Sequence, residues 1–117
     1  MKAQNRQTGR LAEDMAVNAL IKKGFQILER NFNNRFGEID IIARDKETLV
    51  FVEVKAKKGM EFGMPEEMVN SHKLHKIRNM ATVYTKGKSV LCRIDVVAIV
   101  LSADNDLTRL THYENVV

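Results

Sequence analysis

The sequence predicts an α/β fold, a single domain with a mixed central sheet flanked by helices in the order αβββαββ. Three observations predict it. Apolar positions Leu11, Met15 and Ala19 recur at helical spacing near the start of the chain. Two strand-like runs, Glu38–Arg44 and Thr48–Ala56, follow across a short turn. A second helical stripe, Leu74, Ile77, Ala81 and Tyr84, separates that hairpin from two further apolar runs.

The first helix is expected over about 7–23, with Gly24 behind Lys22-Lys23 as its stop signal. A short strand follows around Phe25–Arg30, and the polar segment Asn31–Phe36 reads as a turn. Asp45-Lys46-Glu47 then joins the two strands of the hairpin. Residues Lys57 to Met64 read as a loop containing Gly59 and Gly63. Pro65, with Glu66 and Glu67 behind it, suits the start of the second helix, which ends near Gly87. Strands over Val90–Leu101 and Leu107–Tyr113, joined by Ser102-Ala103-Asp104-Asn105-Asp106, complete the order.

With 117 residues, 44% of them hydrophobic and 29% charged, the chain fits one globular domain over 1–117 with a modest core. The longest wholly apolar run, Val96-Val97-Ala98-Ile99-Val100-Leu101, is too short to cross a bilayer, and the first seven residues carry no apolar run behind them. A cytoplasmic protein with no membrane partner is expected. The single cysteine, Cys92, allows no internal disulfide and is expected as a small buried residue at a strand start.

The net charge of +4 is unevenly spread, because residues 68–94 contain Lys73, Lys76, Arg78, Lys86, Lys88 and Arg93 with no acidic residue. Such a block is an electrostatic footprint for a polyanion such as nucleic acid, although charge alone fits a solvated helix face equally well. Aromatic content of 6% with no tryptophan argues against a base-stacking single-strand binder. Phosphate-binding glycine loops of P-loop form and serine nucleophile elbows are absent from the sequence.

Asp40, Glu53 and Lys55 carry the chemistry. Each falls inside a strand that is otherwise apolar. Alternation puts Glu53 and Lys55 on one face about 6.6 Å apart, in line with Leu49 and Phe51, while Val50, Val52 and Val54 take the other face. Charges in such a setting need partners. Asp40 on the neighbouring strand is the companion, and two adjacent carboxylates repel unless a cation lies between them. A divalent metal with hard oxygen ligands would supply it, held by Asp40 and Glu53, with Lys55 positioning and polarising the reacting groups of a phosphodiester. A same-face ion pair of Glu53 and Lys55 with a purely structural role fits the same residues.

Asp40 followed by Glu53-Val54-Lys55 on the next strand resembles the PD-(D/E)XK restriction-endonuclease-like superfamily. Almost the whole chain is similar to the YraN family of small bacterial proteins, relatives of archaeal Holliday-junction resolvases. The residues carrying this resemblance are Gly9, Glu13, Arg30-Asn31, Gly37-Glu38-Ile39-Asp40, Phe51-Val52-Glu53-Val54-Lys55, Phe62-Gly63, Lys73 and Arg93-Ile94-Asp95-Val96-Val97. Ile39 stands where the superfamily has proline, Ala12 where glycine is frequent, and Ala56-Lys57 where Thr-Arg is usual.

The resemblance implies a restriction-endonuclease-like αβββαβ core and a Mg²⁺-dependent endonuclease, with Mn²⁺ as substitute, acting on DNA and on branched forms such as Holliday junctions. Its alternative is a non-catalytic nucleic-acid-binding module on the same fold. It implies Asp40, Glu53 and Glu13 as metal ligands, Lys55 as the catalytic lysine, and Lys73 as a contact to the scissile phosphate or an aid to Lys55. Glu13 also borders the apolar arc of Ala16, Val17 and Leu20, and a carboxylate near a helix start is favoured there by the dipole alone. Lys57 and Lys58, with Lys73 and Lys76 of the second helix, would grip phosphates without reading bases. Action on two strands implies a homodimer.

Glu38 shares Asp40's strand and is expected to be structural, as is a pairing of Asp95 with Arg93. His72 and His75 lie three apart on the second helix without a third ligand nearby, and are expected to be solvated or to touch phosphate.

Overall fold

The computed structural model describes residues 2–59 and 69–116, with side chains from residue 7. Its elements are α1 (Lys2–Lys22), β1 (Gln26–Asn34), β2 (Gly37–Asp45), β3 (Thr48–Lys58), α2 (Ser71–Tyr84), β4 (Cys92–Leu101) and β5 (Leu107–Tyr113). One sheet runs in the order β1-β2-β3-β4-β5. Neighbours are antiparallel except β3 and β4, which are parallel, so the sheet is mixed and the β3-to-β4 connection carries the crossover helix α2.

The alternation along β3 divides the core. Val50 and Val52 pack with Ala12, Ala16 and Leu20 of α1, together with Ile41, Val97 and Ile99. Leu49 and Phe51 pack with Ile77, Met80 and Ala81 of α2, together with Ile39, Ile42 and Ile94. The two helices therefore cover opposite faces, and β3, buried on both, is continuously apolar from Leu49 to Val52 as a central strand must be. Gly24, at φ +95°, takes the left-handed conformation that closes α1, and its N–H reaches the Ile21 carbonyl at 2.9 Å.

Several boundaries differ from the sequence expectation. β1 continues through Asn34, because Phe32 and Asn33 pair with Ile39 and Glu38, and the turn shrinks to Arg35-Phe36. Lys57 and Lys58 belong to β3 rather than to a loop, paired with Val100 and Leu101. α2 begins at Ser71, where the Asn70 side chain accepts the Lys73 N–H at 2.9 Å as an N-cap. Pro65, Glu66 and Glu67, where the sequence predicts a helix start, lie outside the described residues, as do Phe62 and Gly63. β4 begins at Cys92, and that cysteine is exposed rather than buried. No helix of the described residues is long and apolar enough to cross a membrane.

Candidate functional site

The β2–β3 ladder stops where the charged residues begin. Its pairs run from Asp45↔Thr48 to Ile41↔Val52 and no further, while β3 stays paired with β4 as far as Lys58. The hairpin is thus open along one edge of β3 from Glu53 onward. An amide there needs an acceptor, and Oδ2 of Asp40 accepts the Val54 N–H at 2.8 Å. Strict alternation breaks at the same place: Ile39 packs on the α2 side and Ile41, two residues on, packs on the α1 side.

Glu53 points from β3 into this opening and is only 2% exposed. A single oxygen, Oε2, receives both Nζ of Lys73 at 2.9 Å and Nζ of Lys55 at 3.3 Å. Asp40 is half-buried beside it. Burial, then the charge of Glu53, a hydrogen bond shared with the Glu53 carboxyl, and the charge of Glu13 push Asp40 up to about 8, against the opposing pull of the Val54 N–H. The fold thus favours the protonated form of the Asp40 carboxyl over the carboxylate. Burial works against the Lys73 ammonium, but Glu53, Asp40 and Glu38 outweigh it and hold its pKa above the ordinary lysine value.

Glu13 approaches from the α1 side. Its Oε1 accepts from Nη2 and Nε of Arg30 at 3.1 and 3.2 Å and from Nδ2 of Asn31 at 3.0 Å. A cleft of about 400 Å³ brings Glu13, Asn31, Glu38, Asp40 and Val54 to one surface. A smaller hollow of about 110 Å³ places Asp40 with Lys73 and Lys76 on the α2 side. Asp40 borders both. The fold thus unites Asp40, Glu53, Lys55 and Lys73 by direct contact, and Glu13 reaches Asp40 through the shared cleft. Lys76 and Lys58 are exposed, and Lys57 continues the Glu53–Lys55 line at the end of β3.

In the sequence, Arg30 and Asn31 stand out only as motif residues. Their contacts give them a role: they hold Glu13 in place.

Among the described residues, no three His, Cys, Asp or Glu side chains form a group able to hold a metal. Mg²⁺ does not require one, since it keeps several waters and is commonly held by one or two carboxylates together with substrate phosphate. Asp40 and Glu53 fit that donor set. Burial and the charge of Glu53 together disfavour the Asp40 carboxylate, a cost that a divalent cation would relieve.

The second buried acid is differently placed. Asp95, fully buried, accepts from Nε of Arg93 at 3.0 Å and the Asn115 N–H at 2.9 Å, and pairs with Nε2 of His112 at 2.8 Å. Burial alone would raise its pKa, but these partners outweigh it and hold the carboxylate below the usual range. This is the structural pairing expected from the sequence. His72 and His75 are exposed on α2.

A family model described as "Uncharacterised protein family UPF0102" matches residues 12–99. A UPF0102 protein of Dictyoglomus turgidum is 40% identical over 114 residues, covering 95% of this chain and 97% of the relative. One from Caldicellulosiruptor bescii is 43% identical over 109 residues, covering 90% and 92%. One from Persephonella marina is 47% identical over 97 residues, covering 79% and 82%.

Proposed function

We propose that this chain, which belongs to the UPF0102 family that the sequence resemblance names YraN, is a divalent-metal-dependent nuclease that hydrolyses DNA phosphodiester bonds, with branched duplexes such as Holliday junctions as its substrates. The observation that carries the reading is the pair of adjacent carboxyl groups, Asp40 and Glu53, at the opened edge of the hairpin with two ammonium groups on one Glu53 oxygen. A structural ion pair needs one cation and no second acid.

Asp40 and Glu53 would hold Mg²⁺ or Mn²⁺, which supplies a water of lowered pKa and an oriented phosphate oxygen. The Asp40 proton must leave before the site can hold the ion. Lys55, fixed by Glu53 and partly shielded from solvent, is placed to meet the charge that develops on phosphorus, where a pre-oriented cation is most effective. Lys73 steadies Glu53 and brings the basic face of α2, with Lys76, to the phosphate backbone; Lys57 and Lys58 extend that surface along β3. Glu13, held by Arg30 and Asn31, lines the same cleft as Asp40. Cutting two strands of a junction calls for a homodimer.

A metal-titrated cleavage panel over linear, single-stranded, flap and four-way DNA tests the reading, with Glu53→Ala beside the unaltered chain. Cleavage that requires Mg²⁺ or Mn²⁺ and vanishes in Glu53→Ala, while binding persists, is the expected outcome. Affinity without cleavage under any metal would replace it with the binding-module reading. The occupation of Glu53 by two lysines and of Glu13 by Arg30 and Asn31 favours that second reading.

A further inference from the structure

A pocket of about 370 Å³ lies between the C-terminal half of α2 and the start of β4, whereas the carboxylate cluster is met by the first turn of α2. Exposed Val90 gives it apolar surface, with buried Phe51, Ala81 and Ile94 beneath. Exposed Arg78, Lys88 and Cys92 stand around it, and among the described residues no acidic side chain lines it. Neither Arg78 nor Lys88 has an ion pair among the described residues. A third lining cation, Arg93, is already engaged by Asp45, Asp95 and Glu114.

Two unneutralised cations above an apolar floor select a ligand with an anionic end and a flat, weakly solvated body. The volume lies at the low end of the roughly 300–1,000 Å³ typical of small-molecule sites. It suits one nucleotide and excludes a duplex.

We propose that this pocket is a second binding site, for a nucleoside monophosphate unit, with the base against Val90 above Ala81 and Ile94 and the phosphate between Arg78 and Lys88. A free nucleotide and the 5′-phosphorylated terminal nucleotide of a strand present the same chemistry. Nucleotides inside a duplex are stacked and cannot enter without the cost of unstacking. The site does not depend on the nuclease reading, because its test measures binding alone.

Cys92 is the only cysteine of the chain and lines the pocket, so its alkylation by neutral N-ethylmaleimide reports occupancy. The full chain is treated in the presence of dAMP, of a 5′-phosphorylated single-stranded oligonucleotide, of the same oligonucleotide without its phosphate, or of inorganic phosphate. Saturable slowing of alkylation by dAMP or by the phosphorylated strand is expected, and whichever protects identifies the source of the ligand. Arg78→Ala and Lys88→Ala, both at exposed positions, should each weaken protection about tenfold, the change that corresponds to losing a hydrogen bond to a charged group. Three results would overturn the proposal: no protection by either nucleotide ligand, equal protection by inorganic phosphate or the unphosphorylated strand, or undiminished protection in both variants.

Discussion

Replacing Asp40 by asparagine should stabilise the metal-free protein while removing its proposed activity. Asp40 is raised from 3.8 to about 8 in the fold, so between those values the folded chain carries a proton that the unfolded chain has lost. The contribution of this group to stability is complete below about pH 4 and declines as pH rises toward 8, by about a factor of ten in the folding constant per unit. At pH 7 some three units of that window have been crossed, which corresponds to about 4 kcal/mol as an upper bound. The two adjacent carboxyl groups interact, so the variant recovers only part of this, and a gain of roughly 2–4 kcal/mol is expected. Asparagine suits the position because its amide oxygen can keep the Val54 N–H and its NH₂ can donate to Glu53. Urea unfolding followed by far-UV circular dichroism in EDTA, from pH 4 to 8, measures the effect. The unaltered protein should lose stability across this range relative to Asp40→Asn, and the two should converge at the acid end. Parallel pH profiles, or a variant that is less stable at pH 7.5, would refute the reasoning about the carboxyl pair.

Mg²⁺ binding should release close to one proton below pH 8 and tighten about tenfold per unit between pH 6 and 7.5; calorimetry in buffers of different ionisation enthalpy counts the proton, and a pH-independent affinity would remove Asp40 from the ligand set. Changing Lys57, Lys58, Lys73 and Lys76 to glutamine should reduce the slope of log K against log salt for four-way DNA by about 0.9 for each phosphate that these side chains neutralise. Fluorescence anisotropy reads that slope, and an unchanged value would take these lysines out of the interface. Asp95→Ala leaves Arg93, His112 and the Asn115 N–H without their shared acceptor, and should cost about 3–5 kcal/mol in urea unfolding. A destabilisation below about 1 kcal/mol would show that the network is not structural.

The parts of the fold legible in the sequence are those governed by local periodicity. The two-residue period of Leu49 to Lys55 separates the α1 and α2 faces of β3 correctly, and places Glu53 beside Lys55. The extension of β1 through Asn33 and Asn34 is not legible, since its support comes from backbone pairing with β2 and not from the side chains, which read as a turn. The contact of Lys73 with Glu53 depends on where α2 crosses the sheet, and the clasp on Glu13 joins residues 17 and 18 positions apart. Their local sequences carry no trace of either. Cys92 departs from expectation because apolar character marks a strand start without showing that this one opens onto a pocket.

Asp40 and Asp95 show how buried charge of two kinds can be told apart. Both are carboxyls withdrawn into the same sheet. Asp95 is met by a guanidinium, an imidazole and a backbone N–H, and its pKa is lowered; removing it would leave donors stranded. Asp40 has one backbone donor, while its other neighbours include two further acids, and its pKa is raised. In the first arrangement partners from the chain itself favour the carboxylate. The second is held away from its minimum by the fold, and the excess can be relieved by a proton, as in the metal-free state, or by a cation that both carboxylates share. The lysines at 55 and 73 make their ion pairs with Glu53, and Asp40 keeps a raised pKa even with the charge of Lys73 nearby. On the proposed reading a shared metal ion would relieve that asymmetry, which is why the Asp40→Asn stability gain and the Mg²⁺-linked proton should appear or fail together.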